Sequence, residues 1–238
     1  MQQPDDALAA AAARNHADWC ELIARSLRIS TTRTDDLWAA DVPMPQGHSD
    51  VVLLRPRAEP DWGAIRNATT GLTVVDSFAD QELTGYGFGR VFEAEWIALA
   101  EVGAGASVEP VGIDGWQRVS RERFPDWLAE HGSLNELEPS ILDVAEVVVL
   151  EWVVDGRFLA GAILHSSDGV IGLHDVFLGD GKRVDAWRSL AGLAHARFGH
   201  APLVGFEPAA SVAAPLAAGF RVVGPMRVWA HLEVREPA

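Results

Sequence analysis

The chain has 238 residues, 48% of them apolar and 22% charged, with a net charge of −15. This excludes a disordered chain, and no apolar run reaches the length of a membrane span. One cysteine, Cys20, rules out a disulfide framework, and such an acidic chain is a poor partner for nucleic acid or an anionic membrane.

The first half opens with a predicted helix, marked by the apolar stripe Trp19, Leu22, Ile23 and Leu27. Asp50 to Leu54 reads as a strand, Asp61 to Asn67 as a short helix and Leu72 to Val75 as a strand. Ser77 to Leu83 reads as a helix and Val91 to Leu99, by alternation, as a strand. Glu101 to Gly115 is rich in glycine and is the predicted linker, dividing the chain into units 1–110 and 111–238.

The second half begins with a short strand, Trp116 to Val119. Ser120 stands before a predicted helix carrying Phe124, Trp127 and Leu128, and Ser133 to Glu136 has capping-box spacing. Val147–Val154, Phe158–Leu164 and Val170–Leu178 read as an antiparallel meander, turned by Asp155-Gly156 and by Ser166 to Gly169. From Val184 to Phe198 the apolar period becomes helical, with Trp187, Leu190 and Ala191 on the buried stripe and Gly199 as the stop. Pro202 to Phe206 is a strand, Ala209 to Ala218 a helix containing Pro215, and Arg221 to Val234 a last strand broken by Gly224-Pro225. The nine tryptophans, spread over all segments, are read as core.

An internal repeat is visible. Val74-Val75-Asp76-Ser77, Gly87-Phe88 and Trp96 can be laid over Leu203-Val204-Gly205-Phe206, Gly219-Phe220 and Trp229.

The element order from Gly115 to Glu233, and the closing pattern from Ala217 through Gly219-Phe220 to Gly224 before a Trp-bearing strand, resemble the Gcn5-related N-acetyltransferase (GNAT) superfamily. The first half looks like a shortened copy. The resemblance implies an α/β (α+β) fold with a mostly antiparallel sheet flanked by helices, in two tandem GNAT-like units. It implies acetyl-CoA or another acyl-CoA as cosubstrate, with no metal. Its cofactor loop would be Leu178, Gly179, Gly181, Lys182 and Arg183, whose backbone N–H groups would meet the pyrophosphate at a helix N-terminus. The family's Gln/Arg-x-x-Gly-x-Gly/Ala pattern is not present in this segment, and the tyrosine the family uses as an acid is replaced by Pro215 and, in the first half, Leu83.

Four residues are candidates for base chemistry. His174 and Asp175 stand side by side on the third meander strand, where alternation sends them to opposite faces. Glu151 lies in an apolar strand, as a buried base of raised pKa or as an outward-facing residue of that strand. Glu207 follows the strand ending at Phe206, where this fold opens its cleft. Gly181-Lys182 does not make a phosphate loop, because Arg183 follows the lysine, and the histidines show no metal-ligand spacing. Two functions are therefore expected: an acyl-CoA-dependent transferase acting on a small amine, or a catalytically silent GNAT-like protein that binds a ligand or forms a structural homodimer. Both readings expect a cytoplasmic protein with no nucleic-acid or membrane partner.

Overall fold

The computed structural model describes residues 4–68, 72–100, 115–132, 137–178 and 183–231. The chain opens with the 23-residue helix α1 (Pro4–Ser26), followed by strands β1 (Thr31–Arg33), β2 (Leu37–Ala40) and β3 (Val51–Leu53). Helix α2 (Trp62–Ala68), β4 (Thr73–Asp76) and β5 (Phe88–Leu99) complete the first half. The second half runs β6 (Trp116–Arg118), α3 (Phe124–His131), β7 (Val147–Val154), β8 (Arg157–Ser167), β9 (Val170–Leu178), α4 (Arg183–Phe198), β10 (Leu203–Pro208), α5 (Ala213–Ala217) and β11 (Arg221–His231).

Among the described residues eleven strands join one sheet in the order β1-β2-β3-β4-β11-β5-β10-β9-β8-β7-β6. The pairs β3/β4 and β9/β10 are parallel and the rest are antiparallel. Each half's last strand adds to the other half: β11 lies between β4 and β5, and β5 pairs with β10. The residues 101–114, where the sequence places the linker, lie outside the described residues.

The hairpin turns follow from their residues. Asp155-Gly156 and Asp168-Gly169 both have positive φ at both positions, the geometry whose twist matches antiparallel strands. Gly199 (φ +85°) ends α4, its N–H reaching the His195 carbonyl at 2.9 Å. All nine tryptophans are buried, none more than 9% exposed. Trp187, Leu190 and Ala191 face the sheet as their spacing requires, with Trp187 edge-on to Phe220 at 5.3 Å. One core lies under α1 and α3. The opposite face packs against α4 and α5 in one cluster and against α2 in another.

Three elements differ from the sequence reading. Ser77 to Leu83 is not a helix: Ala79 takes φ +52°, and the Asp76 carboxylate accepts the backbone N–H groups of Asp80 and Gln81. A helix there would need those donors pointing along its own axis. The Ala209–Ala218 helix shrinks to α5, in which Pro215 is the third residue, where its missing N–H is one a helix leaves unpaired anyway. Gly224-Pro225 does not break the last strand. β11 bulges between Val222 and Gly224, and its β4 ladder begins only at Arg227, so Pro225 interrupts neither pairing. The capping-box segment 133–136 lies outside the described residues.

Candidate active site

The site is built where β9 and β10 part. Their parallel pairing covers only Ile171↔Leu203 and Gly172↔Val204, although β9 runs on to Leu178 and β10 to Pro208. Gly205 still lies close to β9, since a Cβ on it would come 3.2 Å from the Leu173 carbonyl oxygen. Beyond that point β9 keeps β8 on one side and, among the described residues, has no ladder on the other. Such an edge offers unpaired backbone groups to an extended, amide-bearing chain.

β9 then bulges. His174 pairs with Ile163 and Phe177 with Gly161, so Asp175 and Val176 share the space opposite Ala162. Asp175 takes φ +52°, a left-handed conformation that a non-glycine residue rarely adopts without a local reason. The bulge cancels the alternation expected from sequence. His174 and Asp175, instead of pointing to opposite faces, both line one cavity of about 240 Å³.

Helix α1 roofs this cavity with His16, Trp19 and Cys20, and the turn Gly47–Ser49 closes one side. β4, β5, β10 and β11 supply Thr73 and Val75, Val91 and Phe92, Phe206, and Met226 and Val228. Both halves of the chain therefore contribute walls. Val91, 57% exposed, stands at the mouth.

His174 is held in place. Its Nε2 lies 3.0 Å from the Asn15 Oδ1, while the Asn15 amide donates to the His165 carbonyl (3.1 Å) and to the Ser167 Oγ (2.9 Å). With that amide orientation Nε2 carries the proton. The ring stacks on Trp19 at 5.2 Å. Burial, reinforced by His165 and His16 nearby, pushes its pKa well below the ordinary value, so it is neutral at pH 7. Gly172 makes the arrangement possible, since a Cβ there would sit 1.9 Å from the Asn15 Oδ1.

Asp175 is different. The residue is partly exposed, yet its Oδ2 is buried and has no hydrogen-bond partner. Burial raises its pKa to about 7. Among the described residues it is the only acidic side chain lining the cavity. A carboxyl poised near neutrality and free to accept a proton is what general-base chemistry at pH 7 requires.

The other candidates are elsewhere. Glu151 is fully buried and accepts from the Arg123 Nε (2.8 Å) and Nη2 (3.0 Å) and from the Gln117 Nε2 (2.8 Å). Both of its oxygens are occupied within the chain, and it faces inward instead of outward. Glu207 lies one residue past Phe206, accepts from the Ser211 hydroxyl and is not part of the cavity wall. Of the expected cofactor loop, Leu178 ends β9 opposite Ala160 and Arg183 begins α4; Gly179, Gly181 and Lys182 lie outside the described residues.

Sequence reasoning missed Asn15, His16, Cys20 and His48. A signal existed for α1: Asn15-Trp19-Ile23 and His16-Cys20 are rows at four-residue spacing on its apolar side, so a buried Asn15 and a half-buried His16 share rows with buried apolar residues. Nothing local marks His48.

The architecture has counterparts among solved structures. The chain superposes on a GCN5-related N-acetyltransferase from Kribbella flavida with a TM-score of 0.60 at 14% identity, covering 92% of this chain and 95% of that one. The fold is GNAT-like. A GNAT-family protein from Novosphingobium aromaticivorans gives a TM-score of 0.56 at 14% identity, over 90% and 96% of the two chains. A conserved protein of unknown function from Staphylococcus epidermidis gives 0.51 at 9% identity, over 90% and 99%. No protein-family model matches the sequence, and no curated protein does. Identities this low carry the GNAT-like fold alone. Among the described residues no helix is long and apolar enough to cross a membrane, and no cluster of side chains has the makings of a metal site.

Proposed function

We propose that the cavity under α1 is an acyl-transfer site, in which an acyl-CoA gives its acyl group to a small primary amine and Asp175 takes the amine's proton. The observation that carries this is the unpartnered Oδ2 of Asp175, set by a bulge beside the opening between β9 and β10.

The donor fits that opening. Among the described residues the backbone of β9 from His174 to Leu178 has an edge with no ladder, open to the amides of a pantetheine arm, and α4 begins at Arg183. The thioester supplies an activated acyl group whose thiol is the leaving group. Once the bound ammonium has lost one proton to solvent, Asp175 would accept a second at Oδ2 as the amine nitrogen bonds to the acyl carbon and the C–S bond breaks; that proton would pass to the departing thiolate, giving an amide and a free thiol. Trp19, Phe92 and Phe206 would keep water from competing as nucleophile. His174, neutral and tied to Asn15, would fix the wall beside the base instead of exchanging protons itself.

A second reading has its own support. The first turn of α4 carries Asp185, which opposes a phosphate at that helix end. With the departures in the loop sequence, this favours a GNAT-like protein that binds an amine and has lost the donor.

Calorimetry with acetyl-CoA, followed by thiol release in the presence of primary amines, separates the two. Binding and release are expected, with Asp175→Asn lowering kcat by about 10²–10³-fold. Absence of binding at millimolar acetyl-CoA would leave the silent protein.

A further inference from the structure

The walls of the cavity restrict what can occupy it. Besides Asp175, two other lining residues carry buried polar atoms with no protein partner: Nδ1 of His16 and Nε2 of His48. A buried polar atom left unpaired costs about 1–3 kcal/mol, so three such atoms on residues that line one cavity are a reason to look for an occupant that bonds them. Most of the remaining lining is apolar: Trp19, Phe92, Phe206, Met226 and the valines.

We infer that the occupant is a small primary amine with a single positive charge, an apolar body the size of an aromatic ring, and a hydroxyl group; its role as acyl acceptor rests on the transfer reading above. The ammonium has one partner, Asp175. Among the described residues of the lining a second ammonium would find no second acid, and a carboxylate would face Asp175 with no Arg or Lys to balance it. The imidazoles cannot balance it either, because burial holds His16 and His48 at a pKa of about 4. A neutral imidazole nitrogen donates or accepts according to its tautomer, and a hydroxyl serves either case, whereas a carbonyl only accepts. At about 240 Å³ the cavity is smaller than the roughly 300–1,000 Å³ common for drug-sized ligands, which suits one ring and a short arm.

Four probes divide these features: tyramine, 2-phenylethylamine, phenylalanine and spermidine. Calorimetry on the full chain without acyl-CoA should show tyramine binding about tenfold tighter than 2-phenylethylamine, the scale of one net hydrogen bond. Phenylalanine and spermidine should bind at least about a hundredfold more weakly than tyramine. His48→Leu should bring tyramine and 2-phenylethylamine within about threefold, and His48→Gln, which keeps a hydrogen-bonding group, should restore part of the preference. Equal affinity of the wild type for tyramine and 2-phenylethylamine, tighter binding of phenylalanine or spermidine, or no binding of any amine would overturn the inference. Tyramine binding without thiol release from acetyl-CoA would instead overturn the transfer reading and leave the inferred occupant standing.

Discussion

The two parallel strand pairs start alike and end differently. Val51↔Val74 and Val52↔Val75 join β3 to β4, as Ile171↔Leu203 and Gly172↔Val204 join β9 to β10, and the sequence repeat lays the β4 members Val74 and Val75 over the β10 members Leu203 and Val204. In the first pair β3 stops at Leu53 and a seven-residue helix follows, whereas β9 runs to Leu178 and leads to the 16-residue α4. Acids near the openings are used differently. Asp76, at the end of β4, spends both oxygens on the N–H groups of Asp80 and Gln81. Asp175 keeps one oxygen free. Asp50 also ties the first pair at its start, accepting from the Met44 and Thr73 N–H groups and from the Thr73 hydroxyl. One framework thus serves as a closed joint in the first half and as an open cleft in the second. What separates them is whether the polar groups at the opening are satisfied within the chain.

The largest expected effect tests that contrast directly. Asp175→Asn should lower acyl transfer by about 10²–10³-fold with little change in unfolding free energy at pH 5. Asp76→Ala should do the reverse, leaving kcat within about threefold while costing about 1.5–3 kcal/mol of stability, because two backbone donors lose a charged acceptor. Urea unfolding and steady-state rates on both variants decide it. If the two variants lose rate alike, the halves do not differ in this way.

The helices should differ as well. Trp187→Ala opens a space beside Phe220 and is expected to cost about 3–5 kcal/mol, while Trp62→Ala on the short α2 should lie toward the lower end of that range. A smaller change sharpens the comparison at one position. Gly172 stands where β3 has Val52, and Gly172→Ala should cost about 1–3 kcal/mol because its Cβ would meet both the Asn15 Oδ1 and the His174 Nε2. Ultraviolet resonance Raman of His174 should report loss of the Asn15 bond. An unchanged spectrum would mean that the glycine is not what admits the pair.

The elements with strong local signals were legible. The Asp-Gly turns need positive φ, the Trp187 stripe needs a buried face, and the repeat around Val75 and Val204 marks the two parallel pairs. The site was half legible. His174 and Asp175 were singled out, but alternation assigned them opposite sides because a bulge has no local signature in Leu-His-Asp-Val. Glu151 looked available because its partners, Arg123 and Gln117, come from distant segments. The roof of the cavity was hidden for the same reason, since Asn15 meets His174 across 159 residues of chain. The place of β11 between β4 and β5 depends on sheet order, which no single segment encodes.

The smallest effect should appear in how stability follows pH. Burial lowers the pKa of His16, His48 and His165 from 6.5 to about 4, so between those values the unfolded chain binds protons that the folded chain refuses. Stability from these groups therefore rises as pH rises from about 4 through 6.5 and is complete about one unit above it. Asp175 acts in the opposite direction. Its pKa is raised from 3.8 to about 7, so the folded chain keeps a proton that the unfolded chain releases, and stability falls as pH rises from about 4 to 7. The histidine trend dies away only about one pH unit above 6.5, so the two trends oppose each other across the whole interval and the Asp175 contribution is read from the difference between proteins. Asp175→Asn lacks that carboxyl and keeps the histidine trend alone, so the difference between variant and wild type should grow from pH 5 to pH 8 in the variant's favour. Asp76→Ala keeps Asp175 and should follow the wild-type slope above pH 6.5. Thermal melts of the three proteins at half-unit pH steps measure this, and parallel wild-type and Asp175→Asn curves above pH 6.5 would mean that the carboxyl of Asp175 is not held in its neutral form by burial.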